Sequence, residues 1–399
     1  MTESSTPPPK EAASLLLAGK YRTADAEAWK QAEATGRRGK SFTMTDFELI
    51  CDFDNIYWAY RKARLFKSGK EAVKKFELNL LEALQLISHD LRTGTYEPSG
   101  YHSFKVYEPK ERLIETNSFR DKVIQHDLCD NVLAPKVEPH FIMDNYASQT
   151  NKGIFFALDR MAGFLRRFYR LYGSDGFILK GDIHHYFASI QHGPLKIEIR
   201  KIITDPDVLE LLDKIIDSSD NPGVPIGNQT SQFFALIALN GMDHLVKDHL
   251  GAKYYGRYMD DFYVICRSKP EAQFYLSKIR EYLRTQKLEL NGKTQIFPIS
   301  NGIDFLGFHT YLTGTGKVVK KLRRRSVQKM RRKLHAFHNL YWTGKISKEK
   351  VLEIYTAWRS YAKHGDCHKL IDDMDVLYRK VFILKEGEND LRNKQAANK

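Results

Sequence analysis

Two neighbouring carboxylates, Asp260 and Asp261, stand in the segment KYYGRYMDDFYVICRS, where aromatic and β-branched residues alternate on both sides of them. That alternation predicts two strands with the aspartates at the turn between them. Carboxylates so placed repel each other unless a cation is present, and hard carboxylate oxygens are the ligands Mg²⁺ takes. Two such ions about 4 Å apart activate an attacking hydroxyl and stabilise a leaving pyrophosphate, the chemistry of two-metal phosphoryl transfer. A third ligand must then come from another element. Asp182 in FILKGDIHHYFASI is the candidate, because Phe177 to Asp182 reads as a strand whose end can lie beside the hairpin; the next residue, Ile183, offers a backbone carbonyl. Either acidic site alone reads equally well as a turn capped by Asp.

These residues need elements to position them. From Thr45 to Leu91 the apolar residues recur at helical spacing, with Phe47, Ile50, Cys51, Ile56 and Tyr57 on one stripe and Thr45 as the expected cap. Tyr101 to Ile114 reads as a β-hairpin with a charged, basic tip at Glu108 to Arg112. Helices are predicted from Arg120 to Leu133, from Ile154 to Tyr172, and from Gln229 to Leu250, whose run FFALIALNGM is apolar on most sides. A helix of that kind packs against a sheet. Beyond Asp304 a basic window from Lys317 to Lys333 has Val327, Met330, Leu334 and Phe337 at helical spacing, which predicts a helical subdomain with one basic face.

The chain of 399 residues is 42% hydrophobic and 12% aromatic, enough for a sizeable core and two or three subdomains. Lys and Arg number 63 against 49 Asp and Glu, a net charge of +14 that favours a polyanionic partner. Cys51, Cys129, Cys266 and Cys367 are scattered, which suggests neither a zinc site nor a disulfide framework and fits a reducing cytoplasm. No apolar run reaches the ~20 residues that span a bilayer, and the N-terminus lacks the layout of a signal peptide, so no membrane association is expected. Residues 1–44 read as a flexible leader and 385–399 as a disordered tail.

Taken in order and spacing, these motifs resemble those of the reverse transcriptases over about residues 100 to 310: an Asp in motif A (Asp182) and a Tyr-x-Asp-Asp in motif C (Tyr258, Met259, Asp260, Asp261). The resemblance implies an α+β, right-hand polymerase fold, with fingers at 45–170, a palm with an antiparallel sheet at 171–315 and a helical thumb at 316–384. It implies RNA-directed DNA synthesis with two Mg²⁺ ions, Mn²⁺ being a possible substitute, held by Asp182, Asp260, Asp261 and Ile183. Phe187 takes the place of the aromatic gate that excludes a 2′-hydroxyl. Pro225 to Gln232 looks like motif B, where Gly227 would allow close approach to the nascent pair and Asn228 could cap the following helix. Lys293 in Asn291-Gly-Lys-Thr294 resembles the motif D acid that protonates pyrophosphate. Phe305, Leu306 and Gly307 resemble the primer grip. Lys110 and Arg112, with Arg120 as a further candidate, match the clamp on the incoming dNTP. Arg323, Arg324, Arg325, Arg331 and Arg332 lie in the thumb segment, expected to track template RNA and primer or cDNA.

Motif B departs from the Gln-Gly-x-x-x-Ser-Pro of retroviral and group II intron enzymes, with Ile226 and Gln232 in place of the Gln and Pro. This form resembles the enzymes of diversity-generating retroelements, which copy a template RNA with errors at adenines and work with a small basic accessory protein. Defence-associated bacterial reverse transcriptases that copy a non-coding RNA share the general architecture, and a catalytically dead RNA-binding scaffold is the reading from a different class.

Overall fold

The computed structural model describes residues 44–107 and 111–384; the expected leader and tail, apart from Met44, and Lys110 at the hairpin tip lie outside the described residues. The N-terminal amphipathic stretch forms four helices: α1 (Asp46–Cys51), α2 (Phe53–Arg64), α3 (Glu71–Leu78) and α4 (Leu80–Arg92). Asp52 starts α2 by accepting from the amides of Asp54 and Asn55, and Ile56, Ala59, Tyr60, Leu84 and Ile87 bury the apolar stripes. Strands β1 (His102–Val106) and β2 (Arg112–Thr116) then pair antiparallel, with Val106 opposite Arg112. A reciprocal Ser118–Asp121 capping box starts α5 (Phe119–Leu128). The short α6 (Ala134–Val137) leads to α7, whose bounds Ile154–Tyr172 are those the periodicity predicts.

The central sheet holds β3 (Phe177–Gly181), β4 (Tyr255–Tyr258), β5 (Asp261–Cys266) and β6 (Gln295–Pro298) in the antiparallel order β4-β5-β3-β6. Between β3 and β4 run α8 (Tyr186–Ser189), α9 (His192–Arg200), α10 (Pro206–Asp217), α11 (Thr230–Ala238) and α12 (Asn240–His244), and α13 (Lys269–Thr285) precedes β6. The helix expected over Gln229 to Leu250 is thus interrupted: Leu239 leaves helical geometry (φ −108°, ψ 3°), next to the weak helix formers Asn240 and Gly241.

A second sheet, β7 (Ile303–Phe305), β8 (Phe308–Leu312) and β9 (Val318–Leu322), carries the start of the basic window. This corrects the expectation of a helix from Lys317: cross-strand pairing of Tyr311 with Val319 and Phe308 with Leu322 makes that stretch a strand. Helical structure begins with α14 (Arg324–Trp342), followed by α15 (Lys348–Ala362) and α16 (His368–Arg379), which pack around Leu334, Val351 and Met374. No helix among the described residues is long and apolar enough to cross a membrane.

Candidate active site

Side chains on a strand alternate between faces, and this sorts the central sheet. Leu179, Phe262, Val264 and Cys266 enter the core on one face. Gly181 completes that face, because a Cβ there would come within 2.2 Å of the Phe262 ring. Lys180 and Ile178 point the other way, with Tyr263 and Ile265 of β5, and Asp261 at the start of β5 shares their parity. Tyr258 pairs with Asp261, so Met259 and Asp260 form the two-residue turn, with Met259 in the left-handed region at φ 55°. Asp182 follows the last residue of β3, beside this turn.

Asp260 lies beside Asp182, and burial followed by the Asp182 charge pushes Asp260 up to about 7. Asp261 is also raised, by burial, against the opposing pull of Lys180, whose ammonium meets its Oδ1 at 2.6 Å. Among the described residues no three His, Cys, Asp or Glu side chains converge as a complete metal site, because Asp261 turns to Lys180 while Asp182 and Asp260 face each other. The donor set nonetheless fits a divalent cation: all hard oxygens, with two carboxylates close enough to repel each other unless a cation lies between them. Asn291 supports Asp182 twice, donating from Nδ2 to its Oδ2 at 3.2 Å and from its amide to its carbonyl at 2.7 Å. The second of these belongs to a bridge that pairs Ile183 with Leu290 and uses neither polar group of Ile183. Lys293 lies two residues beyond, exposed, with its own amide bonded to Asn291 Oδ1 at 3.1 Å.

Other candidates scatter more widely. Phe187 sits half-buried on α8, five residues after Asp182, with its ring 5.7 Å from that of Tyr186. Arg112 is exposed at the start of β2. Arg120 is committed elsewhere: its guanidinium bonds Asp90 at 2.7 Å and lies over the Tyr96 ring, which competes with a role on a triphosphate. Asn228 does not cap α11. It is only 3% exposed, and its amide donates to the Tyr101 hydroxyl at 2.9 Å, which removes it from direct dNTP contact. The close approach that Gly227 permits is to the Glu115 carbonyl of β2. Phe305, expected on nucleic acid, is 1% exposed and packs edge-on against Tyr263, so it serves the core; Leu306 and Gly307 form the turn after it, held by the Tyr361 hydroxyl on the Leu306 carbonyl at 2.7 Å. Arg323 pairs with Asp304 and is felt by Asp261. Arg324, Arg325, Arg331 and Arg332 are exposed on α14; Arg325 and Arg332 lie opposite its buried Val327, Met330 and Leu334, and Arg324 and Arg331 flank that stripe.

Residues 105–310, more than half the chain and the whole acidic site, match the family model described as reverse transcriptase (RNA-dependent DNA polymerase). The chain belongs to the reverse transcriptase family. With its helices and antiparallel sheets, this reverse transcriptase has the right-hand polymerase fold. It is similar to Protein YkfC of Escherichia coli (strain K12), at 24% identity over 74% of this chain and 91% of that protein. Solved structures that it resembles include telomerase from Candida albicans with a fragment of telomeric RNA (14% identity, TM-score 0.43, 71% of this chain and 55% of that one). Apo telomerase from Candida tropicalis is another (14% identity, TM-score 0.42, 58% and 49%). The reverse transcriptase spans about half the length of those telomerase chains.

Sequence reasoning missed three groups around the reverse transcriptase site. Lys180 was legible in principle, since a residue two before Asp182 on a strand shares its face. Asn291 stands two residues before Lys293, where an Asn signals a turn and nothing more. Arg257 carried the subtlest signal: β4 sends Tyr255 and Arg257 to the same side as the apolar Val264 and Phe262, and a charge on a core face demands a buried counter-ion.

Proposed function

We propose that the enzyme copies a cognate template RNA into cDNA by two-metal phosphoryl transfer within a diversity-generating retroelement. The observation that carries the chemistry is the placing of Asp182, at the end of β3, beside Asp260 and Asp261 of the β4–β5 turn. Asp182, Asp260, Asp261 and the Ile183 carbonyl would hold two Mg²⁺ ions, with Mn²⁺ as a substitute. When bound, the ions acidify the attacking 3′-hydroxyl and offset charge on the departing pyrophosphate. Around them Asn291 keeps Asp182 oriented, and Lys180 compensates the Asp261 charge. Lys110 and Arg112 pair with the triphosphate, Phe187 lies against the sugar, and Lys293 delivers a proton to pyrophosphate. Fingers, palm and thumb are assigned to 45–170, 171–315 and 316–384, with β9 at the root of the thumb.

The retroelement reading rests on Ile226, Gly227, Asn228 and Gln232 in motif B, and a small basic accessory protein goes with it. A reducing cytoplasm suits four cysteines that are all buried and free. Two measurements test the reading. Asp260→Asn should lower synthesis by at least ~10³-fold while leaving RNA binding intact; persistence of synthesis removes the assignment. Sequencing cDNA made from the RNA that copurifies with the protein should show substitutions concentrated opposite template adenines. Accurate or repetitive cDNA from a structured non-coding RNA would instead indicate defence, and no cDNA under any priming condition would indicate a scaffold.

A further inference from the structure

Arg257 is the largest fully buried side chain among the described residues, at 0% exposure on the helix-covered face of β4. Its guanidinium grips Asp243 of α12 twice, Nε to Oδ1 at 2.6 Å and Nη2 to Oδ2 at 2.5 Å. Asp243, itself fully buried, also accepts from the Tyr255 hydroxyl at 2.5 Å and from Asn145 Nδ2 at 3.3 Å. An ion pair this deep is poor evidence of a stabilising role, since well-packed apolar residues often replace such pairs without loss. The pair therefore needs another explanation, and the remaining hydrogen bonds of the guanidinium supply one.

Nη1 donates to the Met259 carbonyl at 2.9 Å, and Nη2 reaches the Leu236 carbonyl of α11 at 3.4 Å. Met259 is the left-handed residue of the turn that carries Asp260. A non-glycine residue persists there only where its surroundings enforce it, and the Arg257 contact is an enforcing one. The backbone of Arg257 is fixed as well, its amide on the Asp144 carbonyl and its carbonyl under the Tyr146 amide, both at 2.9 Å.

We infer that Arg257, braced by Asp243, is a positioning residue for the polymerase reaction: it clamps the Met259 carbonyl and so sets the directions in which Asp260 and Asp261 leave the turn. The inference rests on the proposed roles of those two aspartates. The guanidinium also references the turn to the end of α11, so the catalytic hairpin and the helix after motif B move as one body. Lysine at 257 keeps a charge for Asp243 but lacks the fork that reaches Asp243, Leu236 and Met259 together.

The test uses the full chain extending oligo(dT) on poly(rA) with dTTP and Mg²⁺. Its variants are Asp260→Asn, Arg257→Lys and the double variant Arg257→Met with Asp243→Leu, which removes both buried charges. The double variant is expected to fold and to bind primer–template normally, melting below the wild type because the Tyr255 hydroxyl and the Asn145 amide lose their acceptor. Its kcat should fall on the order of 100-fold, the scale of a misplaced catalytic group, and its half-saturating Mg²⁺ concentration should rise. A purely structural pair would not move that last readout. Arg257→Lys should fall between the two. A folded double variant with wild-type kcat and Mg²⁺ requirement overturns the inference; if the double variant does not fold, a folded Arg257→Lys with both values unchanged does so. An active Asp260→Asn would instead remove the underlying site reading, whatever Arg257 does.

Discussion

Asp127 on α5 is buried with Oδ1 accepting from the Asn131 amide at 2.6 Å, while Oδ2 has no hydrogen-bond partner. Burial, the dominant cause, lifts its carboxyl well above the ordinary range, and the Asn131 bond only partly opposes this. A carboxyl raised in the folded state favours folding most where it is protonated, and that advantage is lost as pH climbs through the folded value. Asp127→Asn keeps the Asn131 contact and cannot ionise, so it should gain stability relative to the wild type at pH 8. The gain should shrink at pH 5, as urea denaturation at the two pH values would show; an equal gain at both would mean that ionisation is not what the site opposes. At Phe187 the question is chemical. If the ring is the sugar gate, Phe187→Val should raise ribonucleotide use relative to deoxynucleotide use by roughly 10–100-fold, read as the ratio of kcat/KM for UTP and dTTP. An unchanged ratio would leave the ring only its packing role beside Tyr186. Residues at this scale were legible when their own strand or turn disclosed them, as with Asp182, Asp260 and Asp261. Arg120 and Asn228 were not, because their partners Asp90 and Tyr101 come from elements that sequence alone does not bring near.

Elements with strong local pattern matched their reading: α7 runs over the predicted residues, and the hairpin and β3 to β5 fall where alternation put them. Reading failed where distant pairing decides the outcome. The lysines of β9 look like part of a basic helix until β8 pairs with them. The three helices from Tyr186 to Asp217 went unread although each has a buried face, among them Leu195 and Ile199, and Val208, Leu211 and Leu212. Gly227 shows the same limit in a testable form. Its backbone presses on β2 so closely that a Cβ would lie 2.1 Å from the Glu115 carbonyl and 3.3 Å from the Thr116 Cβ. Gly227→Ala must push the hairpin away from motif B, at a cost of about 1–3 kcal/mol. Because that hairpin carries Arg112, the KM for dNTP should rise along with the loss in melting temperature. Gly193→Ala, in α9 with nothing within 4 Å of the new methyl, is the control; it should be neutral or stabilising by roughly 0.4–1 kcal/mol. If Gly227→Ala behaves like the control, the hairpin is not seated on motif B in solution.

Across the whole molecule the net charge of +14 is unevenly useful. Many cations are already matched, as Arg359 is by Asp375, Lys247 by Asp144 and Arg160 by Asp144. Arg324, Arg325, Arg331 and Arg332 instead stand exposed on α14, whose Met330 and Leu334 enter the core shared with α15 and α16. Replacing all four by Gln therefore changes the field without opening the core, and the melting temperature should hold. If this face tracks a phosphate backbone, binding of primer–template should weaken equally for unrelated sequences, since phosphate contacts carry no base information. The slope of log affinity against log salt should flatten by about 0.7–0.9 for each phosphate no longer neutralised. Synthesis measured at low salt with saturating template should stay close to wild type, because the carboxylates at the end of β3 and at the β4–β5 turn are untouched. A slope that does not change would mean that the backbone of the template–primer runs over another basic surface and that α14 uses its arginines only for solvation.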